Sequence, residues 1–286
     1  MYIDLHCHST ASDGSLPSVE VVRLAKESGV SAMSLTDHDT VAGIPAAAEE
    51  ARRLGIDFVS GIEISCEFRM PGTMHLLGYG VDPQSAVLAG LSRELLEARN
   101  ERNPRIIKRL GELGIHVTMQ EWEDQASGEV IGRPHLAAIL VRKNFVSSTK
   151  LAFDKYLGQG APAFVDKERI APRRAVELIS ASGGLTVLAH PYQLRCSNDA
   201  EAEMAIKNLA DMGLAGLEVM HSDHDVKLVE KYSRLADRLG LLKTGGSDFH
   251  GAAKKTVSVG WSHDMRVPRE FFDVLQERLG AVKRAN

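Results

Sequence analysis

The chain has 286 residues, 44% hydrophobic and 25% charged, and its 34 Lys and Arg against 38 Asp and Glu give a formal net charge of −4. That length can bury a sizeable core, as one large α/β domain or a domain plus a small insert. The charge argues against a protein that coats nucleic acid, while leaving room for a local basic pocket.

Strand and helix signals alternate along the chain. Strand-like runs lie near 2–7, 32–36, 57–61, 74–79, 185–189, 215–220, 241–245 and 256–261. Helical patterns lie near 17–28, 43–54, 171–182, 200–212, 225–239 and 268–279. Pro17 sits in a first turn, and Gly29, Gly55, Gly183, Gly213 and Gly240 fall where helix C-caps belong. Repeated β-then-α units imply a parallel sheet with right-handed crossovers, and some seven or eight of them fit a closed or distorted β/α barrel better than an open sheet. Between about 83 and 160 the alternation gives way to helical patterns: Ala86–Leu113 broken at Pro104, a segment near 120–126, Pro134–Lys143 and Ser147–Leu157. This stretch reads as a helical insert at 83–160 in a barrel made of 1–82 and 161–286. Ordinary barrel helices with inconspicuous strands are the alternative.

Cys7, Cys66 and Cys196 have no paired spacing and suit reduced thiols better than a disulfide framework. With no leader visible before the first strand and no apolar run near the ~20 residues of a membrane span, a soluble cytoplasmic protein is expected.

The first strand carries His6-Cys7-His8. Residues i and i+2 of a strand share a face, so the two imidazoles converge into half of a transition-metal site. Two ordinary polar residues at a strand end would look the same. Other ligand types sharpen the reading, because a β/α barrel carries its working residues just after its strands. Asp37, His38 and Asp39 follow one strand, Glu63 another, His190 a third, and Asp248 with His250 a fourth. His75 is the exception, since it enters its strand rather than leaving it.

These motifs, HCH at 6–8, SDG at 12–14, TDHD at 36–39, GIEIS at 61–65, HLLGYG at 75–80, AHP at 189–191 and GSDFH at 246–250, resemble the polymerase and histidinol phosphatase (PHP) superfamily from end to end. The resemblance implies a distorted (β/α)7-type barrel with a helical insertion and up to three divalent metals. It implies that His6, His8, Glu63 and Asp248 hold one metal, that Glu63 bridges to a second held by His75 and His190, and that Asp13, His38 and His250 hold a third. Six imidazoles suit manganese, zinc or iron better than magnesium, and manganese is the expected metal. Three carboxylates would offset only about half the charge of three dications, so the substrate is expected to be anionic. A metal-bridging hydroxide attacking phosphorus in line suits that charge balance, with Asp248 and Glu63 at the reaction centre.

On the substrate side, Gly132-Arg133-Pro134-His135 opens a helix, and an arginine beside a helix N-terminus is a ready anion site. A surface arginine on a capped helix is the plainer reading. The resemblance favours substrate contact for Arg133 and His135. Arg99 and Arg102 share a helix face, where nearby acids suggest a solvated surface and the resemblance suggests a substrate contact. Lys167 and Arg195 are weaker binding candidates, and His221 is a candidate acid at a strand end.

The resemblance is nearest to stand-alone members that are nucleoside 3′,5′-bisphosphate phosphatases, with adenosine 3′,5′-bisphosphate a natural substrate. Similar 5′→3′ exoribonucleases acting on short 5′-phosphorylated RNA are the alternative. Histidinol-phosphate phosphatase, a non-catalytic metal-binding module and an amide hydrolase rank below them. The expected partner is a small-molecule nucleotide or short RNA, with no membrane and no obligate protein partner.

Overall fold

Short apolar runs buried on both faces need a sheet covered by helices. The computed structural model, which describes residues 1–68, 72–126, 131–166 and 169–285, shows one. Its strands are β1 (Tyr2–Asp4), β2 (Val30–Leu35), β3 (Asp57–Cys66), β4 (Met74–Tyr79), β5 (Leu185–Leu188), β6 (Gly216–Met220), β7 (Leu242–Gly245) and β8 (Val267–Pro268). They form one sheet in the order β7-β6-β5-β4-β3-β2-β1-β8. The continuations of the first and seventh strands close it. Leu5 N donates to Gly245 O at 3.2 Å, Asp248 N to His6 O at 2.8 Å and His8 N to Phe249 O at 2.9 Å. The result is a nearly closed barrel.

The helices are α1 (Ser18–Glu27), α2 (Ile44–Leu54), α3 (Ala86–Glu112), α4 (Met119–Gln125), α5 (Arg133–Arg142), α6 (Thr149–Ala152), α7 (Pro172–Ala181), α8 (Asp199–Asp211), α9 (Val226–Leu239) and α10 (Arg269–Ala285). Amphipathic patterning explains the outer layer: α9, for example, turns Tyr232, Leu235 and Ala236 into the core and ends on Gly240 in the left-handed conformation. No described helix is long and apolar enough to cross a membrane.

Four expectations change. The sheet is mixed, because β4 runs antiparallel to both β3 and β5. Only residues 67–73 join β3 to β4, too few for a crossover helix, so the chain turns straight back. The 256–261 run is not a strand: it curls through turns, with Gly260 at φ 81°, and the edge strand β8 comes later, antiparallel to β1. Helix α3 is not broken at Pro104 but runs through it. The carbonyl that loses its partner there belongs to Asn100, which is exposed and open to water. Finally, the helix expected over 147–157 is α6 followed by a π-helical turn, Phe153–Leu157.

Helix α3 joins two cores. Its Leu88, Leu91 and Leu95 pack with the barrel strands. Its Ile106 and Leu110 pack with Trp122, Leu136, Leu140 and Leu157 in a separate cluster that reaches Val165. This second cluster lies beside the mouth of the barrel, where the chemistry gathers.

Candidate metal centre and adjoining anion cavity

The closure between the first and seventh strands brings both ends of the chain to one point. It requires glycine at 246, where a Cβ would lie 2.4 Å from the backbone nitrogen of His6. His6 and His8 then present their Nε2 atoms 3.1 Å apart. Each is 3.3 Å from Asp248 Oδ1, and they lie 3.4 and 3.2 Å from Glu63 Oε2. His75 Nδ1 and His190 Nε2 approach the other oxygen of Glu63, Oε1, at 2.8 and 2.9 Å. Asp13 Oδ1 lies 3.2 Å from His250 Nε2, and Asp13 Oδ2 lies 3.9 Å from His38 Nε2. The antiparallel direction of β4 explains His75: the start of β4 lies beside the end of β3, with His75 opposite Ser65. All nine expected ligand residues are thus gathered at one end of the barrel.

These residues fit metal ions. The donor atoms of eight of them fall into three groups: His6, His8, Glu63 and Asp248; His38, Glu63 and His75; and His8, Asp13, His38 and His250. The ninth, His190, meets Glu63 Oε1 at 2.9 Å. Among the described residues, Glu63 Oε2 and His38 Nδ1 are buried without a hydrogen-bond partner, although they lie only 2.9 Å apart. Buried polar atoms are rarely left so, and a shared cation would satisfy both.

Outer groups aim these ligands. Glu218 Oε1 accepts from His6 Nδ1 at 2.9 Å, which leaves the Nε2 lone pair facing the cluster, and Glu218 Oε2 accepts the His190 backbone N–H at 2.6 Å. Asp37 accepts from the Ser9 amide and from the Ser9 and Ser12 hydroxyls at 2.6–2.8 Å, pinning the loop that carries Asp13. His221 does not line the cavity. Its Nδ1 accepts the Asp223 N–H, leaving Nε2–H to donate to Asp248 Oδ2 at 3.2 Å. It is fully buried behind the carboxylate, so it orients Asp248 and is not placed to protonate a leaving group.

The titration pattern describes a site short of cations. Burial raises the carboxyls of Asp13, Glu63 and Asp248, but neighbours override it and hold all three well below their ordinary range. The neighbours are chiefly His250 and His38 for Asp13, His38 and His75 for Glu63, and Lys254 and His6 for Asp248. Burial also opposes protonation of His8, yet Asp248 and Glu63 push it up to about 9. For His75 burial wins, and the ring falls to about 4. A proton on His8 occupies ground that a metal would take.

The mouth opens into a cavity of about 460 Å³, lined by Asp13, His38, Glu63, His75, His190, Asp248 and His250 together with His135, Phe153 and Lys254. His135 Nδ1 accepts the Gly132 N–H at 3.2 Å, so Nε2 carries the ring proton. A second cavity of about 190 Å³ shares the Asp13, His38 and His75 wall and is lined by Arg99, Arg102, Arg133 and Arg169. Arg99 and Arg102 are 7% and 4% exposed, so the solvated-surface reading does not hold. Arg99 is paired with Asp39. Burial first, then Arg133, Arg99 and Arg169, lower Arg102 to about 9. It remains charged at neutral pH, with Asp166 only partly opposing the three neighbouring arginines. Arg195 is exposed and lines neither cavity. Lys167 lies outside the described residues. Arg169, Phe153 and Lys254 were not evident beforehand: Arg169 lies outside any regular element and Lys254 in a 3₁₀ turn, while Phe153 sits in an expected helix whose pattern does not show that it faces a cavity.

Known proteins resemble this chain in sequence and in fold. The PHP domain profile matches residues 4–222. A 3′,5′-nucleoside bisphosphate phosphatase of Chromobacterium violaceum is 34% identical, with 92% of each chain covered. A phosphoribosyl 1,2-cyclic phosphate 1,2-diphosphodiesterase of Eggerthella lenta is 35% identical, covering 94% of this chain and all of its own. A 5′-3′ exoribonuclease of Haemophilus influenzae is 35% identical over 86% of this chain and 89% of its own. Among solved structures, an amidohydrolase from Chromobacterium violaceum superposes with a TM-score of 0.87 at 32% identity, covering 99% of this chain and 97% of that one. The chain belongs to the PHP domain family.

Proposed function

We propose that this protein is a metal-dependent phosphoesterase that removes the 3′-phosphate of nucleoside 3′,5′-bisphosphates, adenosine 3′,5′-bisphosphate among them, giving the 5′-monophosphate and inorganic phosphate. One observation carries the reading: the arginine-lined cavity shares the Asp13, His38 and His75 wall with the metal centre. A substrate with one phosphate on each side of a ribose would fill both cavities. The named activities of the relatives fit this chemistry, since a nucleoside bisphosphate, a phosphoribosyl cyclic phosphate and an RNA chain all carry a second phosphate near the reacting one.

The nine gathered side chains would hold the metals, and their mix of six imidazoles and three carboxylates suits manganese, zinc or iron better than magnesium. When bound, the metals supply positive charge to the phosphoryl oxygens and make water a stronger nucleophile at neutral pH. The chain's own residues do the rest. Glu218 and His221 fix the orientation of His6 and Asp248. Arg102, Arg133 and Arg169 hold the 5′-phosphate, Arg133 being aligned by its 3.0 Å bond to Leu157 O. Asp39 and Arg99 tie helix α3 to the barrel mouth, so the second core, read here as the substrate-binding insert, is held at a fixed distance from the metals. The His135 Nε2–H is a neutral donor at the wall between Pro134 and Ala138. Water adds to phosphorus and gives up a proton, the P–O3′ bond breaks, and the 3′ oxygen takes up a proton from solvent and leaves as a hydroxyl. The free cysteines fit a reducing cytoplasmic setting.

The test is phosphate release from adenosine 3′,5′-bisphosphate with manganese, beside a 5′-phosphorylated RNA dinucleotide, AMP and histidinol phosphate. Fast release from the bisphosphate, with AMP accumulating, is the expected result. Preference for the dinucleotide would move the protein to the exoribonucleases, and inactivity on all four would overturn the reading.

A further inference from the structure

The two oxygens of Asp248 face different partners. Oδ1 lies 3.3 Å from the Nε2 atoms of both His6 and His8, on the side where the metal donors converge. Oδ2 accepts His221 Nε2–H at 3.2 Å and is also paired with the ammonium of Lys254. Lys254 ends a 3₁₀ turn, Gly251–Lys254, that begins directly after His250. Its side chain is 38% exposed where that of Asp248 is 5% exposed, and it is the only lysine or arginine among the described residues lining the 460 Å³ cavity. Asp248, Asp223 and Glu63 supply the negative field around it. Lys254 has no part in the arginine-lined cavity, which it does not line.

An ammonium beside a site for several dications is a like charge in a poor place. Without metals it neutralises Asp248. With cations on Oδ1, the carboxylate has less charge left to hold it, and the ammonium needs a new anionic partner within the same cavity. A phosphoryl group at the metal centre is such a partner.

We propose that Lys254 couples metal loading to capture of the reacting phosphate: it pairs with Asp248 when the centre is empty and with a phosphoryl oxygen of the substrate when the centre is loaded. This rests on the phosphoesterase reading above and adds a residue and a linkage to it. By thermodynamic reciprocity, phosphate tightens metal binding through Lys254 as much as metal tightens phosphate binding.

The experiment is calorimetric titration of manganese into metal-free protein, with and without inorganic phosphate, for the native chain, Lys254→Met and Lys254→Arg. Phosphate is expected to tighten manganese binding to the native protein by roughly 5- to 150-fold, the usual range for coupled sites. Lys254→Met should bind manganese more tightly than the native chain in phosphate-free buffer and lose most of the phosphate effect. Lys254→Arg, which keeps the charge, should retain a large part of it. In turnover, Lys254→Met should impair a 3′-monophosphate and a 3′,5′-bisphosphate by the same factor. An undiminished phosphate effect in a folded Lys254→Met protein overturns the role of Lys254 and leaves the phosphoesterase reading standing. No phosphate effect in the native protein overturns the phosphoryl reading of the metal centre, and the proposal with it.

Discussion

The two cavities at the barrel mouth are built on opposite electrostatic plans. At the metal centre, acids and imidazoles crowd together: Glu63 alone meets five histidines within 3.4 Å. One of its oxygens and the Nδ1 atoms of His38 and His190 still lack a hydrogen bond among the described residues. In the adjoining cavity, four arginines face one another, and Arg102 is lowered to about 9 by burial and by its own neighbours. Under the proposed function, cations complete the first region and an anion the second. A shared wall means that one molecule with two phosphates can be gripped at both ends, which is how like charges can be concentrated so near a cationic centre.

The largest effect that would sharpen this contrast is at Asp248. Asp248→Ala removes a ligand from the metal centre and should lower turnover by more than about 100-fold, beyond the range seen for outer partners of metal ligands. Near-native turnover would remove Asp248 from the reaction. Arg133→Ala acts on the other region. It should weaken binding of a bisphosphate by about 10- to 150-fold, the worth of one or two charged hydrogen bonds, and leave a 3′-monophosphate nearly unchanged. Equal losses on both substrates would take the arginine out of its anchoring role.

A smaller effect is expected at Glu218, which holds the Nδ1–H of His6. Glu218→Gln should reduce manganese affinity by about tenfold with the fold intact, and calorimetry reads it directly. The smallest is a proton count. His8 is raised to about 9 in the metal-free protein, so it is protonated below that pH and must lose its proton to bind metal. Burial opposes protonation of His6 as well, yet Glu218, Asp248 and Glu63 raise it well above its ordinary range, so manganese affinity should rise with pH through about 9 and beyond. Titrations at pH 7.5 in buffers of different ionisation enthalpy should show proton release, and release of none would contradict the charge state assigned to His8.

How much was legible beforehand differs between the two regions for a physical reason. His6 with His8, His38, Glu63, His190, Asp248 and His250 each belong to a short motif at the end of a strand-like run, so local pattern was enough to gather them. His75 looked out of place only because the antiparallel course of β4 depends on a short connection, 67–73, that periodicity does not reveal. The arginines were harder. Arg99 and Arg102 share a helix face with acids nearby and read as solvated, yet both are buried, beside Arg133 and Phe153 on one side and His38 and His75 of the barrel mouth on the other. Arg169 and Lys254 reach their cavities from irregular segments, where their partners are set by tertiary contacts alone. His221 showed its place but not its role, since only the hydrogen bond from the Asp223 amide reveals which nitrogen faces Asp248.

The most direct test of the division between the two regions is a crystal structure of the manganese-loaded protein with the product AMP, using anomalous scattering to locate the metal. The account expects manganese among His6, His8, Glu63 and Asp248, the AMP phosphate among Arg102, Arg133 and Arg169, and the 3′-hydroxyl turned toward the metal. An AMP phosphate seated on the manganese, with the arginine cavity empty, would contradict it.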